Sequence, residues 1–175
     1  VISLFVGLMA ARNLMPNAIS IPVRVFIALC RTFHPVIIAI LFVKAVGFGA
    51  MAGILTLTVA SIGFVAKLFA EAIEEISFKQ VEAIRATGAG FISTIVFAVI
   101  PQVFSRFIGF SIYQLDSNLR NSTMIGIVGA GGLGGTLFSA FQRFDYDFVT
   151  AILMAIIALI LVGEALSNLV RRIFQ

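Results

Sequence analysis

The sequence predicts an all-helical protein that crosses a membrane several times, and three observations lead to this prediction. Of the 175 residues, 61% are hydrophobic and 11% are charged, and the mean hydropathy is +1.13. Soluble domains average about 45–50% apolar and about 25% charged residues, so a lipid bilayer is the expected solvent. The hydrophobic residues form long uncharged runs, which approach the roughly 20 residues that span about 30 Å of hydrocarbon. Residues 67–90 form the one sizeable hydrophilic block between these runs.

The distribution of the runs predicts about five membrane-spanning helices in a single domain that covers residues 1–175. Residues 1–11 are expected to be the end of a membrane helix, because eleven residues are too few to cross the hydrocarbon. The other spans are predicted at about residues 21–46, 48–67, 90–115 and 148–170. Residues 68–89 then form a polar loop with two short amphipathic helices, and residues 116–147 form a glycine-rich loop or re-entrant hairpin.

The positions of Lys and Arg predict the orientation of the chain. Cytoplasmic loops carry an excess of these residues. With five spans, Arg120 and Arg143 fall on one side of the membrane. The other side receives eight basic residues: Arg12, Arg24, Arg31, Lys67, Lys79, Arg85, Arg171 and Arg172. The start of this segment is therefore predicted to lie outside the cell, and the 68–89 loop and the C-terminus in the cytoplasm.

The stretch GIVGAGGLGG at residues 126–135 matches the dinucleotide-binding spacing G-x-G-x-x-G, but its context does not fit that function. The motif requires a buried strand before the glycines and an acidic residue about 20 residues later. Here Asp145 and Asp147 follow Gly134 by only 11 and 13 residues, within a polar turn. A nicotinamide or flavin site is therefore disfavoured.

The glycines are instead predicted to form a tight turn on the outer side of the membrane, and if the chain lines a pore this turn is its gate. The gate residues are Gly126, Gly129, Gly131, Gly132 and Gly134. Small residues let a hairpin pack closely against a neighbour. A tight glycine turn also exposes backbone N–H groups, which can bind an oxyanion. Close packing and oxyanion binding are both compatible with the sequence.

No catalytic or metal site is predicted. Cys30 and His34 are the single Cys and the single His of the chain, and neither has partners at metal-ligand spacing. The phosphate-binding motif G-x-x-x-x-G-K-[ST] is also absent from the sequence. We therefore expect this chain to bind no cofactor.

The hydrophilic loop carries a family resemblance. Glu82-Ala83, Gly88 and Pro101, thirteen residues after that glycine, resemble the E-A-A-x-x-x-G-x9-I-x-L-P signature of ABC importer permeases. The departures are Ile84 at the second alanine, and Ala98 and Ile100 at the isoleucine and leucine. The segments ARNLMP, FHPVIIAILFVKAVGFG, FAEAIEEI and STMIGIVGAGGLGG are similar to the phosphonate-type permeases, so the resemblance covers nearly the whole chain.

The resemblance implies the fold of type I ABC importer permeases, such as those of methionine importers, in a bacterial inner membrane. In that family the loop inserts into a groove on the ATPase subunit and transmits its closure. The residues implied in this coupling are Glu71, Glu74, Glu75, Glu82, Ala83, Arg85 and Gly88. The implied partners are two ABC ATPase subunits on the cytoplasmic face and an extracytoplasmic substrate-binding protein, with no nucleic acid.

A chain with five spans is too small to enclose a pore, so we expect a two-fold homodimer with the pore on its axis. The resemblance implies phosphonate, phosphite or phosphate as the substrate. Methionine-importer permeases also carry a glycine-rich segment before their last span, so another small solute such as methionine is the alternative. An ATPase-independent transporter or channel would lack the E-A-A-like loop. A membrane oxidoreductase would require bound nucleotide.

Two arginines are candidates for the substrate path. Arg106 lies within the predicted 90–115 span, where an unpaired charge is costly. It either attracts an anion, or snorkels or pairs with Asp116. Arg120 follows Asp116 by four residues, so a helical salt bridge competes with a substrate-attracting role.

Overall fold

The structure is a computed structural model that describes residues 2–174, with side chains described as far as Val170. The regular elements within this range are all helical, which confirms the predicted fold class. The helices are α1 (Ile2–Ala10), α2 (Asn17–Thr32), α3 (Pro35–Val46), α4 (Ala50–Glu74), α5 (Phe78–Ala86), α6 (Phe91–Thr94), α7 (Ile100–Ile125), α8 (Leu133–Gln142) and α9 (Tyr146–Phe174). A π-helical turn, Ile95–Val99, joins α6 to α7, and a second one, Gly126–Ala130, follows α7.

Three stretches of the described chain are helical, long and apolar enough to cross a membrane. They are Ala50–Glu74, Phe91–Ala130 and Tyr146–Val170. A fourth is present if α2 and α3, which are bent by 90° relative to each other, count as one broken span. Helix α1 has nine residues and is shorter than a span. The structure therefore provides three or four spanning elements, and α1 occupies the place of the fifth, which was expected to be only the end of a membrane helix.

The bend between α2 and α3 divides the span predicted at 21–46. Pro35 disfavours helical geometry in the residue before it, and His34 accordingly has an extended conformation with φ −62° and ψ 141°. The His34 side chain then caps α3, because its Nδ1 atom accepts a hydrogen bond from the Val36 N–H at 3.3 Å. His34 thus has a structural role at a helix start.

Helix α4 is the centre of the fold, since α1, α2, α3 and α7 all pack against it, whereas α9 packs against α7 and α8. The largest hydrophobic cluster joins α4 to α5 and α7 through Phe69, Ile73, Val81 and Val103. We call this the α5 end of the bundle. The opposite end, the hairpin end, holds the α3–α4 turn and the hairpin of residues 126–142.

Two predicted loops are more helical than expected. The first of the two short helices predicted in 68–89 is the last part of α4, because Phe69, Ala72 and Ile73 are buried and continue its packed face. In the segment predicted as a loop at 116–147, α7 continues to Ile125. It does so because polar residues in this part of α7 find partners within the protein, as described below. The side chains of Arg171 and Arg172, counted in the orientation argument, lie outside the described ones.

Candidate functional site

Helix α5 is a short amphipathic helix fixed to the bundle by one face. Val81 is 1% exposed and belongs to the largest core cluster, with Ile84 packed against the same cluster. The start of the helix is held from α7, where Gln102 Oε1 accepts a hydrogen bond from the Ser77 N–H at 3.0 Å. Its end is marked by Gly88, which has φ 81° and donates its N–H to the Arg85 carbonyl at 3.0 Å. The helix is therefore rigidly seated.

The faces of α5 that do not contact the bundle are exposed. Glu82, Ala83 and Arg85, three of the predicted coupling residues, are all exposed. Glu82 and Arg85 form no salt bridge with any side chain of residues 2–170. Exposed charges on a fixed helix are suited to contact with a partner, because they lose no internal interaction when the partner binds.

The three other predicted coupling acids have internal partners at the end of α4. Glu71 pairs with Lys67 at 3.4 Å, one helical turn away. Glu74 pairs with the Arg24 side chain, and its Oε1 also accepts the Arg12 N–H at 2.9 Å. These contacts join the acidic end of α4 to α2 and to the end of α1. Glu74 is thus a structural residue as well as part of the predicted surface.

Glu75 pairs across the bundle with Arg106 of α7, with 2.6 Å between Oε2 and Nη1. The structure therefore places Arg106 at the α5 end, beside the predicted coupling residues. The pair is well exposed, at 52% for Arg106 and 66% for Glu75. Pairs with this exposure contribute about 0.2–1 kcal/mol. The predicted role of Arg106 in the substrate path stays a prediction.

A charge swap distinguishes whether Arg106 acts by pairing with Glu75 or by contacting the substrate. In the importer that the sequence resemblance implies, we expect Arg106→Glu to lower substrate uptake several-fold, because it places two carboxylates together at the α5 end. Adding Glu75→Arg to that variant should restore uptake by re-forming the pair with opposite polarity. Uptake by proteoliposomes measures both. A double variant that stays as inactive as the single one would contradict the pairing role and favour a direct contact with the anion.

Three polar residues that connect the helices at the α5 end were not predicted from the sequence. Asn13 donates its Nδ2 hydrogen to the Ile73 carbonyl at 2.7 Å, and Ser20 donates to the Ala10 carbonyl at 2.8 Å. Gln102 both accepts from Ser77 and donates to the Ala98 carbonyl at 2.7 Å. Each is a polar residue beside or within an apolar helix. That isolated polarity is the signal that would have identified them.

The hairpin end is built on glycines with left-handed backbone angles. Gly129 has φ 99°, and Gly131 and Gly132 have φ 77°. This conformation reverses the chain between α7 and α8 and is unfavourable for residues with a Cβ atom. The Gly129 carbonyl accepts the Gly49 N–H at 3.0 Å, which ties the hairpin to the α3–α4 turn. An open cavity of about 850 Å³ is lined by both connections.

Close packing inside the hairpin also requires glycine. A Cβ atom at Gly134 would lie 2.0 Å from the Thr123 carbonyl oxygen, and one at Gly126 would lie 2.7 Å from the Gly131 carbonyl oxygen. All five predicted gate glycines thus lie in one compact turn. The close packing seen here is within the chain, and packing of the hairpin against a second copy stays a prediction.

Arg120 is the other predicted substrate-path residue, and its side chain pairs with Asp116 one turn earlier on α7. Asp116 is 9% exposed, while the Arg120 side chain is 52% exposed. The structure thus contains the salt bridge that the four-residue spacing allowed. Arg120 lies fourteen residues after Arg106 on α7, about 21 Å along the helix axis, and therefore away from the α5 end.

Comparison with known proteins identifies the family. Residues 3–175 match the family described as "Binding-protein-dependent transport system inner membrane component". The chain belongs to this family. Nearly the full described range is covered, so the match includes both α5 and the hairpin.

Two relatives show where this inner membrane component lies within the family. It is 41% identical over 171 residues to the "Phosphate-import permease protein PhnE" of Mycolicibacterium smegmatis, covering 97% of this chain and 32% of that protein. It is 42% identical over 176 residues to the "Phosphite transport system permease protein PtxC" of Stutzerimonas stutzeri, covering 100% of this chain and 64% of that protein. The chain thus spans about a third and about two thirds of these relatives.

A solved structure shows the same fold. A chain in the structure titled "Inward facing conformations of the MetNI methionine ABC transporter" superimposes with a TM-score of 0.83 at 23% identity. The superposition covers 99% of this inner membrane component and 86% of that chain. The predicted resemblance to methionine-importer permeases is therefore confirmed at the level of the fold.

Proposed function

We propose that this chain is the membrane-spanning permease subunit of an ATP-driven ABC importer for phosphonate or a related phosphorus oxyanion, phosphite or phosphate. The observation that carries the proposal is α5. It is an exposed, charged helix seated on the hydrophobic core of a chain that is 41% and 42% identical to relatives named as phosphate-import and phosphite transport permeases. The permease itself is non-catalytic, and a partner binds and hydrolyses ATP with Mg²⁺.

The partners in this proposal are a second copy of the chain, two ABC ATPase subunits and an extracytoplasmic binding protein. The ATPases bind α5 from the cytoplasm through Glu82, Ala83 and Arg85. The α5 end therefore faces the cytoplasm, and the hairpin end faces the outer side of the membrane. The binding protein delivers the substrate at the hairpin end. The pore lies on the dimer axis in the bacterial inner membrane.

The attachment of α5 to the hydrophobic core couples ATPase closure to movement of the membrane helices. ATPase closure moves α5, and because Val81 and Ile84 pack on the same cluster as Phe69 and Val103, the displacement passes to α4 and α7. These helices form the walls of the path, so the dimer alternates between inward-open and outward-open states. The two sites are coupled through one bistable element.

ATP hydrolysis by the reconstituted full-length transporter tests the proposal. The complex of permease, ATPase and binding protein is placed in liposomes with methylphosphonate, phosphite, phosphate or methionine. We expect at least one phosphorus oxyanion to stimulate hydrolysis several-fold and to accumulate inside, with no response to methionine. Stimulation by methionine alone would overturn the substrate class. A permease that co-purifies with no ATPase would overturn the importer itself.

A further inference from the structure

A basic cavity lies between α2 and α4, near the α5 end of the bundle. Its volume is about 370 Å³, and three of the residues that line it are basic: Arg24, Arg31 and Lys67. The acid in its wall is Glu71, which pairs with Lys67 at 3.4 Å. The residues that line this cavity therefore carry a net positive charge.

The packing of α2 on α4 forms the cavity. The two helices run in opposite directions, because Arg24 pairs with Glu74 at the end of α4 whereas Arg31 lies beside Gly63. A Cβ atom at Gly63 would lie 2.9 Å from Arg31 Cγ, so this glycine makes room for the aliphatic part of the arginine. Between these two points, Ile27 is buried against α4. The basic residues are thus held on a fixed pair of helices.

The cavity lies away from the first described residues. Helix α1 contributes only its last residue, Ala10, to the wall. Ile2 and Ser3 line a different cavity together with Ile54 and Ser61, further towards the hairpin end of α4. The walls of the basic cavity are therefore formed mainly by the continuous helices α2 and α4.

The basic residues have unused hydrogen-bond donors. Arg31 is exposed and forms no salt bridge with the side chains described for residues 2–170. Arg24 donates from Nε to the Ala10 carbonyl at 2.9 Å and from Nη2 to Glu74, which leaves the two Nη1 hydrogens without a partner among the described residues. Guanidinium groups form strong charge-assisted hydrogen bonds with phosphate oxygens. The donors of this cavity therefore fit a phosphate group.

The cavity lies where the hydrocarbon part of the membrane ends. Helix α4 has no charged residue from Ala50 to Ala66, which is about 25 Å of helix. Lys67 is its first charged residue, so it marks the boundary with the headgroups. Side chains tilt towards the start of their helix, and α2 starts at the α5 end. The Arg31 guanidinium therefore leans towards the same headgroup layer.

The flank of α2 beside the cavity is apolar and exposed. Ile21, Val25 and Leu29 are each more than half exposed, and they follow Arg24 and Ala28 around the helix. Such a surface suits contact with acyl chains, which a free phosphate ion lacks. A phospholipid uses both features, because its phosphate fits the basic residues and its chains fit the flank. Basic cavities between membrane helices are typical binding sites for anionic headgroups.

We propose that this cavity binds the headgroup of an anionic phospholipid from the leaflet on the α5 side of the membrane. Arg31 and Lys67 hold the phosphate, and the apolar flank of α2 contacts the acyl chains. The bound lipid joins α2 to α4 next to the end that carries α5. This site is separate from the path of the transported substrate, so it stands or falls independently of the proposed function.

Native mass spectrometry of the full-length transporter, purified with its ATPase, measures the bound lipid directly. The probes are phosphatidylglycerol, which is anionic, and phosphatidylcholine, which has no net charge. We expect the wild type to bind phosphatidylglycerol at least tenfold more tightly. Arg31→Gln should lower that affinity about fivefold, the effect of one basic residue at an anionic surface, and Arg31→Lys should retain most of it. Equal binding of the two lipids by the wild type would overturn the proposal without any variant.

Lys79→Gln is the matched control for Lys67→Gln. It makes the same change at an exposed lysine of the α5 end that does not line the cavity. We expect Lys67→Gln to lower the affinity for phosphatidylglycerol about fivefold and Lys79→Gln to leave it unchanged. An equal loss in both would overturn the site, since general surface charge would then explain the binding.

Inorganic phosphate, added as a competitor, distinguishes the lipid from the free ion. We expect an excess of phosphate to leave phosphatidylglycerol bound, because the ion has no acyl chains to contact α2. Complete displacement of the lipid by phosphate would assign the cavity to the free ion and overturn the lipid site.

Discussion

Glu82→Lys is expected to abolish substrate-stimulated ATP hydrolysis, a loss of at least about thirtyfold. Glu82 is exposed on α5, and a reversed charge at a contact with a partner typically costs about 2–5 kcal/mol of binding free energy. The permease should nevertheless fold and dimerise normally, because surface substitutions of this kind usually change stability by no more than about 0.5 kcal/mol. Hydrolysis by the reconstituted transporter and co-purification of the ATPase measure the effect.

Asp147→Lys is the control for charge. It makes the same acid-to-base change at an exposed residue of the hairpin end, remote from α5. We expect this variant to retain the ATPase on purification. If Glu82→Lys turned over ATP normally, the coupling role of α5 would be contradicted. If both variants lost the ATPase, net charge and not the α5 surface would be responsible.

Gly134→Ala is expected to disable transport by opening the hairpin. The added methyl group would lie 2.0 Å from the Thr123 carbonyl oxygen, which is backbone and has little freedom to move aside. Overpacking in a well-packed region costs about 1–3 kcal/mol and occasionally more. Uptake should therefore fall by at least tenfold and the melting temperature of the purified permease should drop by several degrees.

Gly135→Ala provides a control at the neighbouring residue. A Cβ atom there has its nearest neighbour, the Gly126 carbonyl oxygen, at 3.4 Å, which is ordinary van der Waals contact. This variant should transport and melt like the wild type. Equal stability of the two variants would show that the hairpin is looser than the short Gly134 contact implies.

The sequence predicted the elements that depend on local signals. Composition and uncharged runs indicated membrane helices, and the E-A-A-like spacing identified α5 and its end at Gly88. The glycine run indicated a tight turn, although not that α7 extends to it. Helix α5 could be recognised because its exposed charges and its capping glycine are adjacent along the chain.

The parts that could not be predicted depend on contacts between distant residues. The pairing of Arg106 with Glu75 crosses 31 positions, and the contact of Asn118 with Ser61 crosses 57. In the sequence, Asn118 belongs to a polar stretch that resembles a loop. Its partner on α4 is what allows that stretch to remain helical within the bundle. In the sequence, only Pro35 indicated that the span predicted at 21–46 is broken at His34.

The contacts of Glu74 affect how the helices of the bundle can move relative to each other. Through one carboxylate, this residue connects Arg12, just after α1, and the side of α2 to the end of α4, so the three helices are joined at the α5 end. Helix α9 packs mainly on α7 and α8. A displacement of the end of α4 would therefore carry α1 and α2 with it and would reach α9 by way of α7.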